Sequence, residues 1–130
     1  MEFKKITNEN LVFLKQKIKT KKDAIKFLAR KLYDEGKLTS YEEYLEAVMY
    51  RETLSPTGFE RGLAIPHGKS KYVNEVSIAI GKVKNSVEWN DLNNSKIDFI
   101  DFQLDFANCK RDLLSTLWTL KHFILPLMFL

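Results

Sequence analysis

The sequence predicts one α/β domain built on a mixed β-sheet with helices on both faces. Three observations point there: two amphipathic helical patterns early in the chain, three strand-like segments behind them, and a leucine-rich helical pattern after the strands. At 130 residues, 45% hydrophobic and 29% charged, the chain can fill one core and is too short for two. No repeat or low-complexity tract interrupts it.

The elements follow in order. Leu11-Val12-Phe13-Leu14 is an apolar run of edge-strand length. Thr20, three residues before Asp23, is a carboxylate variant of the capping box and starts a helix. Ile25, Leu28, Ala29 and Leu32 recur along it at helical spacing until Gly36 offers a stop. Ser40 and Glu43 repeat the capping signature, and Tyr41, Tyr44, Leu45, Val48 and Met49 carry a second stripe toward Arg51. Residues 55–62 are rich in turn formers and read as a loop. Leu63-Ala64-Ile65, closed by Pro66 and His67-Gly68, reads as a buried strand that delivers His67 to a strand end. Val76 to Ile80 alternates and stops at Gly81. Ile97, Phe99, Phe102, Leu104 and Phe106 mark a further strand, although Asp98, Asp101 and Asp105 stand among them. Leu113, Leu114, Leu117, Trp118 and Leu120 restore a helical pattern.

Composition narrows the function. The longest apolar run, residues 123–130, contains Pro126 and falls far short of the roughly 18 residues of a spanning helix, so no membrane insertion is expected. No secretory signal opens the chain, which predicts a cytoplasmic location. One cysteine, Cys109, and two histidines, His67 and His122, cannot make an intramolecular disulfide or the usual zinc set. The balance of 21 basic and 17 acidic residues gives a net charge of +4, a mild preference for acidic partners or phosphate. The basic stretch of residues 15–22 lacks interleaved aromatics and any nucleic-acid motif, so it reads as a solvated segment and no nucleic acid is expected.

His67 is the candidate centre. It follows a proline that fixes the backbone and precedes a glycine that permits the close approach of a partner, at a strand end where α/β sites gather. A neutral imidazole nitrogen can attack phosphorus and later release the phosphoryl group. Such transfer gains mostly from positioning and from positive charge on the non-bridging oxygens. Arg51 could supply that charge; equally, it could be a helix-end cation answering the macrodipole. Ser55 and Thr57 could donate to a phosphoryl group, or simply form the turn.

Taken together, residues 51–69, from Arg51-Glu52-Thr53-Leu54-Ser55-Pro56-Thr57-Gly58 to Ala64-Ile65-Pro66-His67-Gly68-Lys69, resemble the signature of the fructose/mannitol-type (type 2) EIIA domain of the bacterial phosphoenolpyruvate:sugar phosphotransferase system. The resemblance runs from the Thr20 helix to Val87-Glu88-Trp89. It implies that His67 accepts a phosphoryl group from the phosphocarrier HPr and passes it to an EIIB domain for fructose- or mannitol-type sugar uptake. It implies also that Arg51 binds the phosphoryl group and that Thr57 and Gly58 line its site; Ser55, from its place in the turn, is a further phosphoryl-binding candidate. No cofactor is expected, because the phosphate arrives on a partner protein.

The resemblance weakens after about residue 97, so residues 1–130 are expected to be one such domain, divergent or truncated in its last third. Family members carry a second histidine at the start of a His-Leu-x-x-Leu-x-x-Leu helix; here Leu113 holds that position, and leucine cannot donate a hydrogen bond. His122 lies well along the helix and reads as a helix-end residue. Carboxylates at 98, 101 and 105 would resist a fully buried strand. The apolar end is a patch through which copies could self-associate. Beside the carrier, two alternatives stand: a regulatory module for which phosphorylation is only a signal, and an inactive remnant.

Overall fold

Two hydroxyls set the helices. Thr20 Oγ1 accepts from the Asp23 amide at 3.1 Å and begins α1 (Lys21–Asp34), and Ser40 Oγ accepts from the Glu43 amide at 3.3 Å and begins α2 (Tyr41–Leu54). Each bond satisfies a helix-end donor that would otherwise lack a partner. Gly36 follows α1 at φ +75°, the left-handed backbone that ends helices at little cost for glycine.

The structure, a computed structural model, describes residues 7, 9–58, 62–89 and 95–106. Its five strands are β1 (Val12–Gln16), β2 (Leu63–Ala64), β3 (His67–Ser70), β4 (Ser77–Glu88) and β5 (Lys96–Phe106). They form one sheet in the order β1-β4-β5-β2, with β3 also paired to β5. β4 and β5 run antiparallel; β1 on β4, and β2 and β3 on β5, run parallel. The mixed α/β class is the one predicted, and β1 lies at one edge of the sheet among the described residues.

Strand alternation divides the apolar residues between the two faces. Ala79, Val83, Ile100, Phe102 and Leu104 share one cluster with Leu28 and Leu32 of α1 and with Tyr44 and Val48 of α2, so both described helices cover this face. Leu63, Ile65, Ile78, Ile80 and Phe99 form a second cluster on the other. The helix expected over 113–120, together with Cys109, Leu113, His122 and the apolar end, lies outside the described residues.

The sheet departs from the sequence reading at Gly81 and at the carboxylates of β5. Gly81 does not end its strand: β4 continues to Glu88, and Gly81 sits against α1, where a Cβ would come within 3.3 Å of Leu28 Cδ2. The carboxylates do not keep β5 from the interior either. Asp101 is fully buried, and Gln103, 3% exposed, donates to its Oδ2 at 3.1 Å, so a polar pair occupies adjacent positions on one face.

Candidate phosphoryl site

His67 reaches the sheet through an interruption. Leu63 pairs with Phe99 and His67 with Gln103, the same offset, so β2 and β3 are two halves of one strand broken at Ile65-Pro66. Proline has no N–H for a ladder, but its carbonyl still accepts from the Gln103 amide at 3.0 Å. His67 therefore begins β3 instead of ending β2. Gly68 serves a different neighbour from the one expected: a Cβ there would meet Val48 Cγ2 at 3.0 Å, so the glycine admits α2 and is buried beneath it. The Tyr44 hydroxyl, within 3.1 Å of the Gly68 carbonyl and 2.9 Å of the Gln103 carbonyl, ties α2 to β3 and β5.

The half-buried imidazole of His67 lies with Nδ1 2.8 Å from the Ile65 carbonyl oxygen. A carbonyl only accepts, so Nδ1 carries the proton of the neutral ring and the lone pair resides on Nε2. Nε2 has no hydrogen-bond partner among the described residues.

The loop after α2 folds back on this segment. Arg51, in the last turn of α2, donates through Nη1 to the Ser55 carbonyl at 2.9 Å. No hydrogen bond joins it to His67 among the described residues. Ser55 caps α2 in extended backbone and is exposed. Thr57 is buried; its amide donates to Glu52 Oε2 at 3.3 Å and its hydroxyl makes a short bond to Glu52 Oε1. Both donors of Thr57 are thus engaged within the chain. Its carbonyl accepts from the Ile65 amide at 3.0 Å, and Gly58 makes an antiparallel bridge to Ala64. The structure therefore joins Thr57 and Gly58 to the segment that holds His67, with Arg51 and Ser55 at the loop's entrance.

Glu52 escaped the sequence reading. Its carboxylate, besides holding Thr57, pairs with Lys21 Nζ at 2.7 Å. One signal was available: an acidic residue near a helix C-terminus opposes the macrodipole and needs a partner.

The sequence profile described as "Phosphoenolpyruvate-dependent sugar phosphotransferase system, EIIA 2" matches residues 5–117. The 2-O-alpha-mannosyl-D-glycerate-specific EIIABC component of Escherichia coli is 34% identical over 89 residues, covering 68% of this chain and 14% of that protein. The chain thus spans only a small part of that relative. The nitrogen regulatory protein IIA-Ntr of Neisseria meningitidis superposes with a TM-score of 0.78 at 25% identity, covering 88% of this chain and 78% of that one. The mannitol enzyme IIA of Escherichia coli, solved in complex with phosphorylated enzyme IIB, shares the fold with a TM-score of 0.74 at 21% identity, covering 88% and 78%. Among the described residues no helix is long and apolar enough to cross a membrane.

Proposed function

Because this chain belongs to the EIIA type 2 family of the phosphoenolpyruvate-dependent sugar phosphotransferase system, we propose that it is a phosphohistidine carrier working in the cytoplasm. His67 takes a phosphoryl group from phospho-HPr and gives it to an EIIB domain, in the service of a sugar of the fructose or mannitol kind. The Nε2 lone pair forms the new N–P bond as the bond from phosphorus to the donor's nitrogen breaks, and no water or metal enters the balance. The single observation that carries this reading is the Nδ1 contact to the Ile65 carbonyl, which leaves Nε2 the free nucleophile.

Arg51 is the cation for the phosphoryl oxygens, reached by exchanging its Ser55 bond for the incoming group. Thr57 positions the loop through Glu52, and Gly58 and Ser55 line the approach. Tyr50 and Leu54, 66% and 63% exposed and one turn apart beside Arg51, offer apolar ground to a docking protein.

A second reading, a regulatory module that is phosphorylated as a signal, is supported by the fold shared with the nitrogen regulatory protein. Discharge separates the two. The phosphorylated chain, mixed with an EIIB protein of the fructose or mannitol kind, is expected to lose its phosphoryl group to it within seconds to minutes. A chain that loads from phospho-HPr but never discharges to any EIIB is a regulator instead.

A further inference from the structure

A connected series of bonds runs from the start of α1 to the nucleophile. Lys21, the first residue of α1, reaches Glu52 Oε2 at 2.7 Å, with side chains 16% and 5% exposed respectively. Its ammonium also donates to the Trp89 carbonyl at 3.2 Å and lies 5.2 Å from the centroid of the buried Trp89 ring. The cation is thus fixed by the residue that follows β4, and it fixes the carboxylate in turn. Glu52 holds both donors of Thr57; the Thr57 carbonyl holds the Ile65 amide; the Ile65 carbonyl holds the Nδ1–H of His67.

Stability does not account for this pair. Desolvation roughly offsets the attraction of a buried ion pair, and apolar replacements often do as well. The carboxylate also stands near the C-terminal end of a helix, where the macrodipole opposes it. What the pair does is local. Ile65 lies between β2 and β3, outside the ladder that would orient it, and its amide is held by Thr57. Whatever anchors Thr57 therefore fixes the Ala64–Ile65 peptide, and the Ile65 carbonyl is set from it across one Cα whose ψ the following Pro66 restricts.

We infer that the Lys21–Glu52 pair is the positioning device of the site: by anchoring Thr57 it orients the Ile65 carbonyl, and so selects the Nδ1–H tautomer of His67. Neither residue touches the reacting atoms. The kinetic consequence rests on His67 being the phosphoryl acceptor, whereas the tautomer belongs to the resting protein and can be read without any transfer.

The experiment uses the full chain in a His122→Gln background, where His67 is the one imidazole. Two-bond 1H–15N correlation spectra are recorded at about pH 8, above the ordinary imidazole range. The parent is expected to show a protonated Nδ1 and an unprotonated Nε2. Glu52→Gln and Lys21→Met are each expected to shift the ring toward a mixture of tautomers. They should also slow acceptance from phospho-HPr by roughly tenfold or more, with the KM for phospho-HPr within about twofold. Thr57→Ser, which keeps both donors, should retain the parent's tautomer spectrum, and Thr57→Val should show the mixture expected of Glu52→Gln. The Thr57 pair decides the matter if Glu52→Gln or Lys21→Met does not fold, as judged by amide dispersion. Folded Glu52→Gln and Lys21→Met chains with the parent's tautomer, or a parent that protonates Nε2, would overturn the inference. A parent that phospho-HPr cannot load would defeat the carrier reading, while the tautomer comparison would still decide this one.

Discussion

The Ile65 carbonyl oxygen holds the Nδ1–H of His67 at 2.8 Å, and that bond leaves the lone pair of the neutral imidazole on Nε2. The carbonyl is placed by an interrupted strand. Pro66 withholds a ladder donor at the point where β2 would run into β3, and the chain then resumes in the same register on β5. The phosphate on the loaded chain is accordingly expected on Nε2. Long-range 1H–15N and 31P spectra of the phosphorylated protein distinguish the two positions, and a phosphate on Nδ1 would contradict the assigned tautomer.

The Arg51 side chain donates to the Ser55 carbonyl, a bond water can replace. Arg51→Ala should therefore leave stability within about 0.5 kcal/mol, as surface changes usually do. It should nevertheless slow phosphoryl acceptance roughly 100-fold, the scale of losing one charged donor to a transition state. Arg51→Lys, which keeps the charge and loses the fork, should fall between. Rapid-quench transfer from phospho-HPr and a denaturation curve measure the two effects separately.

Gly68 is set by α2. A methyl group there would lie 3.0 Å from Val48 Cγ2, and valine has few rotamers with which to yield. Gly68→Ala is expected to cost about 1–3 kcal/mol by overpacking. The same change in a Val48→Ala background should cost distinctly less, because the contact is gone. Urea unfolding of the four chains gives the coupling; additive costs would mean that the clash is relieved elsewhere.

Tyr44 joins three elements through its hydroxyl, which faces the carbonyls of Gly68 and Gln103. Tyr44→Phe keeps the ring that packs 6.2 Å from Phe102 and removes only the hydroxyl. The expected loss is about 1–2 kcal/mol. Thermal unfolding reads it, and faster amide exchange in residues 67–70 should accompany it.

Tyr50 and Leu54 are exposed large apolar side chains flanking Arg51 on α2. The double change Tyr50→Ala with Leu54→Ala is expected to raise the KM for phospho-HPr about tenfold, equivalent to roughly 1.4 kcal/mol of docking. The maximal rate should stay within about twofold. Steady-state loading at varied phospho-HPr checks it; an unchanged KM would place the docking ground elsewhere.

Much of this arrangement was legible in the sequence, for physical reasons that can be named. Thr20 and Ser40 cap their helices because a hydroxyl three residues before a carboxylate is a local device that tertiary packing does not override. The apolar stripe of α1 names most of its buried residues, and that of α2 names Tyr44 and Val48, with Tyr41, Leu45 and Met49 half-buried against the core. What local reasoning missed depends on partners distant in sequence. Pro66 and His67-Gly68 read as the close of a strand, yet β3 begins at His67 because Gln103 to Phe106 offer it a ladder. Gly81 reads as a strand end, but its bareness serves Leu28. Asp101 reads as a carboxylate too costly to bury, yet it is fully buried, with Gln103 two residues along donating to it. Glu52 passes for a surface helix residue until Lys21 and Thr57 close on it.

The central claim, that His67 is the phosphoryl acceptor, is tested most directly by intact-mass spectrometry. The full chain is incubated with phosphoenolpyruvate, enzyme I and HPr, beside a His67→Ala chain shown to be folded. The wild type is expected to gain the mass of one phosphoryl group, lost on brief acid treatment, and the variant to gain none. A folded wild type that stays unmodified, or equal loading of the His67→Ala chain, would contradict it.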